Sequence, residues 1–350
     1  CTACESGDVN NASRLLAALP EINLNTIKWS EDDEGELTLL THAASEGHAE
    51  ICQMLLDKGA DVNQRSAGMV FDSGYSSVGI TPLIYACRNG HLKVVNVFLA
   101  VDGIDVNQRK DNGATALHSS SINGHFQAVE MLLAVDGIQV NQADNDGWTP
   151  LYVACQEGHS KIVKMLLAVN GIQVNQADEE GTTPLCIASN NGHLKIVKML
   201  LAVDGIQVNQ ADNEECTPLY VACQNCHSKV VEMLLAVAGI EVNQVNNEEV
   251  TSLYMACQEG HSKVVTMLLA VDDIQVNQAS DEDVTPLFIA CQVGHSKVVK
   301  MLLAVDGIQA NQANKNQATP LSVACQQGRL KEVQMLLAVD GIQVNRANIH

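Results

Sequence analysis

The chain has 350 residues, is 46% hydrophobic but only 3% aromatic, and carries a formal net charge of −21. That excess of acid argues against non-specific binding to nucleic acid or to an anionic membrane, both of which need surplus Lys and Arg. No apolar run approaches the roughly 18 residues that a membrane helix requires, and the core has to be built from Leu, Val, Ile, Ala, Met and Cys.

The chain starts at Cys1 with a loose helical unit, about 1–27, that contains ACESG (3–7). An insertion at 28–37 follows, with five acids in the six residues 31–36, just after Trp29. A second loose unit, about 38–63, is built around TLLTHAASEGH (38–48). A second insertion, 64–79, reads as a long Ser/Gly finger carrying Phe71 and Tyr75. Long loops on a regular scaffold often hold specificity. Its DSGYSS (72–77) also has the D-S-G-x-x-S form of a phosphodegron, with Ser73 and Ser77 as acceptors, though a Ser/Gly loop spells this easily by chance.

From residue 81 the chain repeats. Thr81, Thr115, Thr149, Thr183, Thr217, Thr251, Thr285 and Thr319 stand 34 residues apart. Each unit reads as two short helices and an extended finger. Thr before Pro before an apolar run starts a helix: Thr caps it, and Pro sits where its missing N–H does no harm. Gly158 then ends the first helix of its unit, and SKIVKMLLA (160–168) forms the second, with Ile162, Val163, Leu166 and Leu167 at helical spacing. NGIQVNQADEEG (170–181) leaves the helix at a Gly, extends and turns. Neither helix is long enough to stand alone, so the units must bury their apolar faces on one another.

The period also settles CQNCH (223–227), which spells the C-x-x-C-H form of haem attachment. Cys223 is the Cys of the repeated ACQ, as at 155, 257, 291 and 325, with Cys87 in the same place of ACR. His227 is the His of the repeated GH. Only Cys226 is new, and it stands where other units have Gly. The ACQ cysteines read as small buried core residues, too far apart for disulfides, and reduced buried thiols suit a cytoplasmic or nuclear protein. Cys216 and Cys226, off the pattern, are the two candidates for reactivity. The repeated GH histidines have no Ser or carboxylate beside them in triad order. No catalytic constellation, metal site or cofactor site emerges, so the segment is read as non-enzymatic.

TPLYVAC, the GH turn, the paired leucines and endings such as DVN (61–63, 105–107) resemble the ankyrin repeat. The resemblance covers nearly the whole chain apart from 28–37 and 64–79. It implies an all-α solenoid: an ankyrin-repeat array of helix–turn–helix units with projecting β-hairpin fingers, read as one domain over 1–350 with regular units over 81–350. It also implies that first helices line a concave side, that the GH His braces the turn between helices, and that finger asparagines such as Asn63, Asn107 and Asn243 are open to hydroxylation. The function it implies is a protein-interaction scaffold or adaptor, a monomer holding a protein partner without nucleic acid or membrane insertion. The alternative is the recognition arm of a larger enzyme, ubiquitin-ligase adaptor or channel.

In this family partners are gripped by the fingers, the residue before T-P-L and the pair before G-H. The fingers between 109 and 318 hold fourteen acids against Arg109, Lys110 and Lys315. Among them are Asp144, Asp146, Asp178, Glu179, Glu180, Asp212, Glu214, Glu215, Glu248 and Glu249. The second helices hold ten Lys against three Glu. An acidic strip of fingertips therefore favours a partner with a basic surface. Trp148, before its Thr, is the candidate anchor. The candidate concave pairs are Gln156 with Glu157, Asn190 with Asn191 and Gln258 with Glu259. Glu215, Glu249, Asp283 and Gln317 replace the finger Gly, and Cys226 and Asp273 replace two more. Wherever those sites need positive φ, stability falls. Residues 205–290 are therefore expected to be less stable than 115–200.

Overall fold

A computed structural model describes residues 7–18, 23–25, 28–29, 37–70 and 76–344. The chain divides into two compact units, Cys1–Glu179 and Glu180–His350. The first holds α1 (Val9–Ala18) and then four helix pairs: α2 (Leu39–Ser45) with α3 (Ala49–Asp57), α4 (Pro82–Arg88) with α5 (Leu92–Leu99), α6 (Ala116–Ile122) with α7 (Phe126–Leu133), and α8 (Pro150–Gln156) with α9 (Ser160–Leu167). The second holds five pairs: α10 (Pro184–Asn190) with α11 (Leu194–Leu200), α12 (Pro218–Gln224) with α13 (Ser228–Leu235), α14 (Ser252–Gln258) with α15 (Ser262–Leu268), α16 (Pro286–Val293) with α17 (Ser296–Leu302), and α18 (Pro320–Gln326) with α19 (Leu330–Leu337). Within each unit every first helix packs on the first helix of the next pair.

The starts of the first helices follow from their threonines. The Thr149 hydroxyl accepts the Tyr152 N–H at 3.1 Å, and Thr217 accepts that of Tyr220 at 3.1 Å. One otherwise orphaned donor per helix is satisfied in this way. The core is the apolar stripe read from the sequence. Leu151, Cys155, Val163 and Leu166 are fully buried, as are their counterparts Leu219, Cys223, Val231 and Leu234. Each fully buried Leu or Val contributes about 1.5–3 kcal/mol. Lys161 lies 3.1 Å above the Phe126 ring centroid, a cation–π contact between neighbouring second helices.

The GH histidines brace more than their own turn. Their backbone closes the turn, as in His125 N–H to Ser120 O at 3.0 Å, while the ring reaches the preceding pair. His125 Nε2 bonds Arg88 O at 3.0 Å and His159 Nε2 bonds Ile122 O at 3.1 Å. In the second unit His227 bonds Asn190 O, His261 bonds Gln224 O and His295 bonds Gln258 O, each at 2.9 Å. The ring fills the space opposite the preceding Gly: a Cβ on Gly192 would lie 2.4 Å from His227 Nδ1. Arg329 replaces the last His and donates to Gln292 O at 3.2 Å.

The finger asparagines tie neighbours together in the same manner. Asn107 Nδ2 donates to Gly137 O and its Oδ1 accepts the Gln139 N–H, both at 2.9 Å. Asn243 does the same to Asp273 O at 2.8 Å and Gln275 N–H at 2.9 Å.

The fingers are narrower than β-hairpins with long ladders. Their tips close on a few short bonds, such as Asp144 N–H to Trp148 O at 2.9 Å, and Asn246 N–H to Val250 O at 3.1 Å with Glu249 N–H to Asn246 O at 2.9 Å. The tips are also stitched sideways, Asn145 N–H to Asn112 O at 2.9 Å and Asn247 N–H to Glu214 O at 3.1 Å. Both insertions contain paired strands: β1 (Lys28–Trp29) is antiparallel to β2 (Leu37–Thr38), and β3 (Ala67–Val70) to β4 (Ser76–Val78). Phe71, Tyr75 and Ser73 lie outside the described residues, as does the side chain of Ser77.

Two expectations need correction. Cys325 is exposed, unlike the other ACQ cysteines. Asp273 is not among the positive-φ residues, so it carries no left-handed strain. The other five substituted glycine sites do: φ is 61° at Glu215, 60° at Cys226, 58° at Glu249, 59° at Asp283 and 59° at Gln317.

Candidate interaction surface

Most of the fingertip acids are exposed. Asp146 and Glu179 in the first unit are exposed, as are Glu180, Glu214, Glu215, Glu248 and Glu249 in the second. Asp144 and Asp212 are different. Asp144 Oδ1 accepts the Asp146 and Trp148 N–H groups at 3.1 and 2.9 Å, and Asp212 Oδ1 accepts those of Glu214 and Cys216 at 3.0 and 2.9 Å. These two carboxylates build the turn and are half-buried, as is Asp178. Burial raises the Asp144 carboxyl above its ordinary range.

Trp148 is half-buried and stacks on Tyr152 of its own helix pair, with centroids 5.7 Å apart and planes at 13°. Its carbonyl also accepts from His118 Nε2 at 2.9 Å. The indole is thus held rigid with one part open, as suits an anchor. In the concave pairs, Glu157, Asn191 and Glu259 are exposed and Gln156, Asn190 and Gln258 half-buried. Asn190 is partly committed to the scaffold, accepting from Asn225 Nδ2 at 3.0 Å.

The second unit contains a groove of about 770 Å³ between its fingers and its first helices. Tyr220, Tyr254 and Met255 lie on its helix side, all buried. Glu214, Glu248, Asp281 and Glu282 form its rim, all exposed. Asn246 Nδ2 donates to the Tyr220 hydroxyl at 3.4 Å. Burial together with the nearby Glu248 and Asp281 pushes the Tyr254 phenol up to about 12, and burial together with acidic neighbours raises Tyr220 further. Sequence reasoning found the rim but not the tyrosines. They stand three residues after the repeated Thr, a place that reads as helix interior, and only the packing of one first helix beside the next turns them toward a shared groove.

Cys216 also lines this groove and is 8% exposed. Burial first, then Asp212 and Glu214, pushes its thiol up to about 11, which suppresses the thiolate. Cys223 is buried in α12 while Cys226 is exposed on the turn, so the C-x-x-C spelling places its two thiols in different environments. Among the ten described cysteines, Cys226 and Cys325 should therefore label first with an aromatic disulfide reagent, and Cys216 at least tenfold more slowly. Peptide mass mapping after short labelling checks this; labelling of Cys216 as fast as Cys226 would contradict it. Among the described residues no group of three His, Cys, Asp or Glu side chains is placed to hold a metal ion, and no helix is long and apolar enough to cross a membrane.

A solenoid of capped helix pairs joined by His and Asn bridges is an ankyrin-repeat architecture. The family model for ankyrin repeats (3 copies) matches the chain repeatedly, at residues 1–66, 67–144, 83–178, 135–212, 166–246, 207–280 and 253–348. The chain belongs to the ankyrin-repeat family, whose repeats are protein–protein interaction modules. Among curated proteins it is similar to the probable E3 ubiquitin-protein ligase XBOS33 of Oryza sativa subsp. japonica, 34% identical over 117 residues, 33% of this chain and 20% of the relative. It is similar to the ankyrin repeat and KH domain-containing protein mask of Drosophila melanogaster, 40% identical over 97 residues, 28% of this chain and 2% of the relative. It is also similar to human transient receptor potential cation channel subfamily A member 1, 32% identical over 120 residues, 34% of this chain and 9% of the relative. The chain thus spans a fifth or less of each of these relatives.

Proposed function

We propose that this segment is a non-enzymatic, monomeric scaffold that holds a partner protein with a basic surface along its fingers and first helices. One observation carries the reading: the acids gathered on the fingers are exposed, while the lysines, such as Lys195, Lys198, Lys229 and Lys263, lie on the second helices. Sorted charge of this kind speeds association and makes it salt-dependent. Buried thiols outside any disulfide, such as Cys87, Cys155 and Cys223, support a reducing, intracellular setting. The test is affinity capture from a lysate of the source cells at low and high salt. A parallel bait carries Glu179→Lys, Glu180→Lys, Glu214→Lys and Glu215→Lys. Capture that is lost with salt and with the charge reversal supports the acidic fingers. A partner indifferent to both shifts the site to Trp148 and the concave pairs.

A second reading, that the segment is the recognition arm of a larger ligase or channel, is favoured by the names of the relatives and by the small share of each that the chain covers. Sequencing the complete reading frame decides it, through the presence or absence of a catalytic or membrane domain.

A further inference from the structure

The groove of the second unit has more chemistry than an acidic strip needs. Its rim is acidic from three successive fingers: Glu214, Glu248, and Asp281 with Glu282. Glu214, Glu248 and Asp281 have no ion pair among the described residues. The floor is aromatic, with Tyr220 and Tyr254 in equivalent places of α12 and α14. Tyr254 is only 8% exposed as a residue, and its hydroxyl oxygen makes no hydrogen bond to the described residues but stays open to the groove. An accessible phenol hydroxyl, two aromatic side chains and carboxylates without an ion pair thus line one space.

We propose that this groove receives an arginine side chain of the partner protein, the guanidinium lying against Tyr220 and Tyr254 and donating to the rim carboxylates and the Tyr254 hydroxyl. This deepens the acidic-finger reading and rests on it. A bare acidic strip does not distinguish Arg from Lys, because both carry one positive charge. The groove does, because the guanidinium is planar, stacks on aromatic rings and presents five donors in a fork. It is also more weakly hydrated than an ammonium, so it enters a half-enclosed site at lower desolvation cost. Charged donors paired with carboxylates make the stronger hydrogen bonds.

The experiment uses the full chain and three fluorescein-labelled Gly/Ser peptides that differ only in carrying Arg, Lys or citrulline at three positions, with affinity read by fluorescence polarisation at low salt. The native chain is expected to bind the Arg peptide about five- to tenfold more tightly than the Lys peptide. Tyr254→Phe and Glu248→Gln should each bring that preference to within about twofold. Tyr254→Phe should fold, since Phe288 occupies the equivalent place in α16. Glu232→Gln, which removes one exposed acid from α13 beside Lys229, should leave the preference unchanged. Equal affinity for the Arg and Lys peptides, or a preference that survives both groove variants, overturns the arginine site while leaving the acidic-finger reading in place. If neither cationic peptide binds more tightly than the citrulline peptide, both readings fall.

Discussion

Replacing Glu215, Glu249, Asp283 and Gln317 by glycine together is expected to stabilise Glu180–His350 by about 2–4 kcal/mol, roughly 0.5–1 kcal/mol per site. All four hold φ between 58° and 61°, a region where a Cβ crowds the backbone. The first unit fills the same finger position with Gly113 and Gly147, at φ 85° and 82°. There the demand is stricter: a Cβ on Gly147 would lie 2.8 Å from Asp178 Cα and from Glu179 N. Gly147→Ala should therefore destabilise its unit, as the opposite of the fourfold change. Because the glycine variant also removes three acids, a parallel variant carries Asn at all four sites. It has the same charge, and Asn tolerates left-handed backbone better than Glu or Gln. Hydrogen exchange on the full chain is the readout. Before substitution, protection in 205–290 should fall below that in 115–200, and the glycines should raise it more than the asparagines. Equal protection in the two stretches, or no gain with glycine, would refute the strain argument. Asp273 contributes nothing to it, because its backbone has avoided the left-handed region.

The second large effect is a loss of stability in acid that is traceable to His118. Its ring is 3% exposed. Nδ1 accepts the Thr115 N–H at 3.2 Å and Nε2–H donates to Trp148 O at 2.9 Å, which defines a neutral imidazole. Burial foremost, then the positive charges of Arg109 and Lys110, lower its pKa to about 4. A base whose folded pKa is depressed binds protons more readily when unfolded. Its contribution is therefore complete above the unfolded value near 6.5 and is lost as pH falls through about 4. The loss should amount to about 2–3 kcal/mol of the stability of this region between pH 7 and pH 4. Physically, a proton on Nδ1 would confront the Thr115 N–H, and the helix would lose its reciprocal cap. His118→Gln removes the titration: the stability gap between native chain and variant, measured by urea unfolding, should shrink steadily from pH 7 to pH 4. A gap that stays constant with pH would show that His118 does not carry the effect.

These two predictions differ in how far the sequence reached. The glycine sites were legible because 34-residue repetition aligns Glu215 with Gly147 and Gly181, and the alignment alone raises the question of φ. His118 was not legible as a titrating group. Nothing in TALH (115–118) says that a neighbouring finger will offer Trp148 O to the ring. The same limit applies to the candidate site. The acids and Trp148 could be read from finger composition, but the carboxylates of Asp144 and Asp212 turned out to fold the tips. Cys325 shares its ACQ spelling with Cys257 and yet is exposed.

Local chemistry is written along the chain, and the sequence by itself determined whatever depends on it: the helix starts at Thr-Pro, the left-handed stops, the apolar stripes and hence the family. Contacts between residues 30 to 40 positions apart belong to the tertiary structure. Only the stacking decided that His125 and His227 reach back to the preceding pair, that the fingertips bond sideways, and that Tyr220 and Tyr254 share a groove with Glu248 on its rim. Those outcomes depend on where a neighbouring repeat places a carbonyl, a ring or an empty space, and no single repeat carries that information in its own residues.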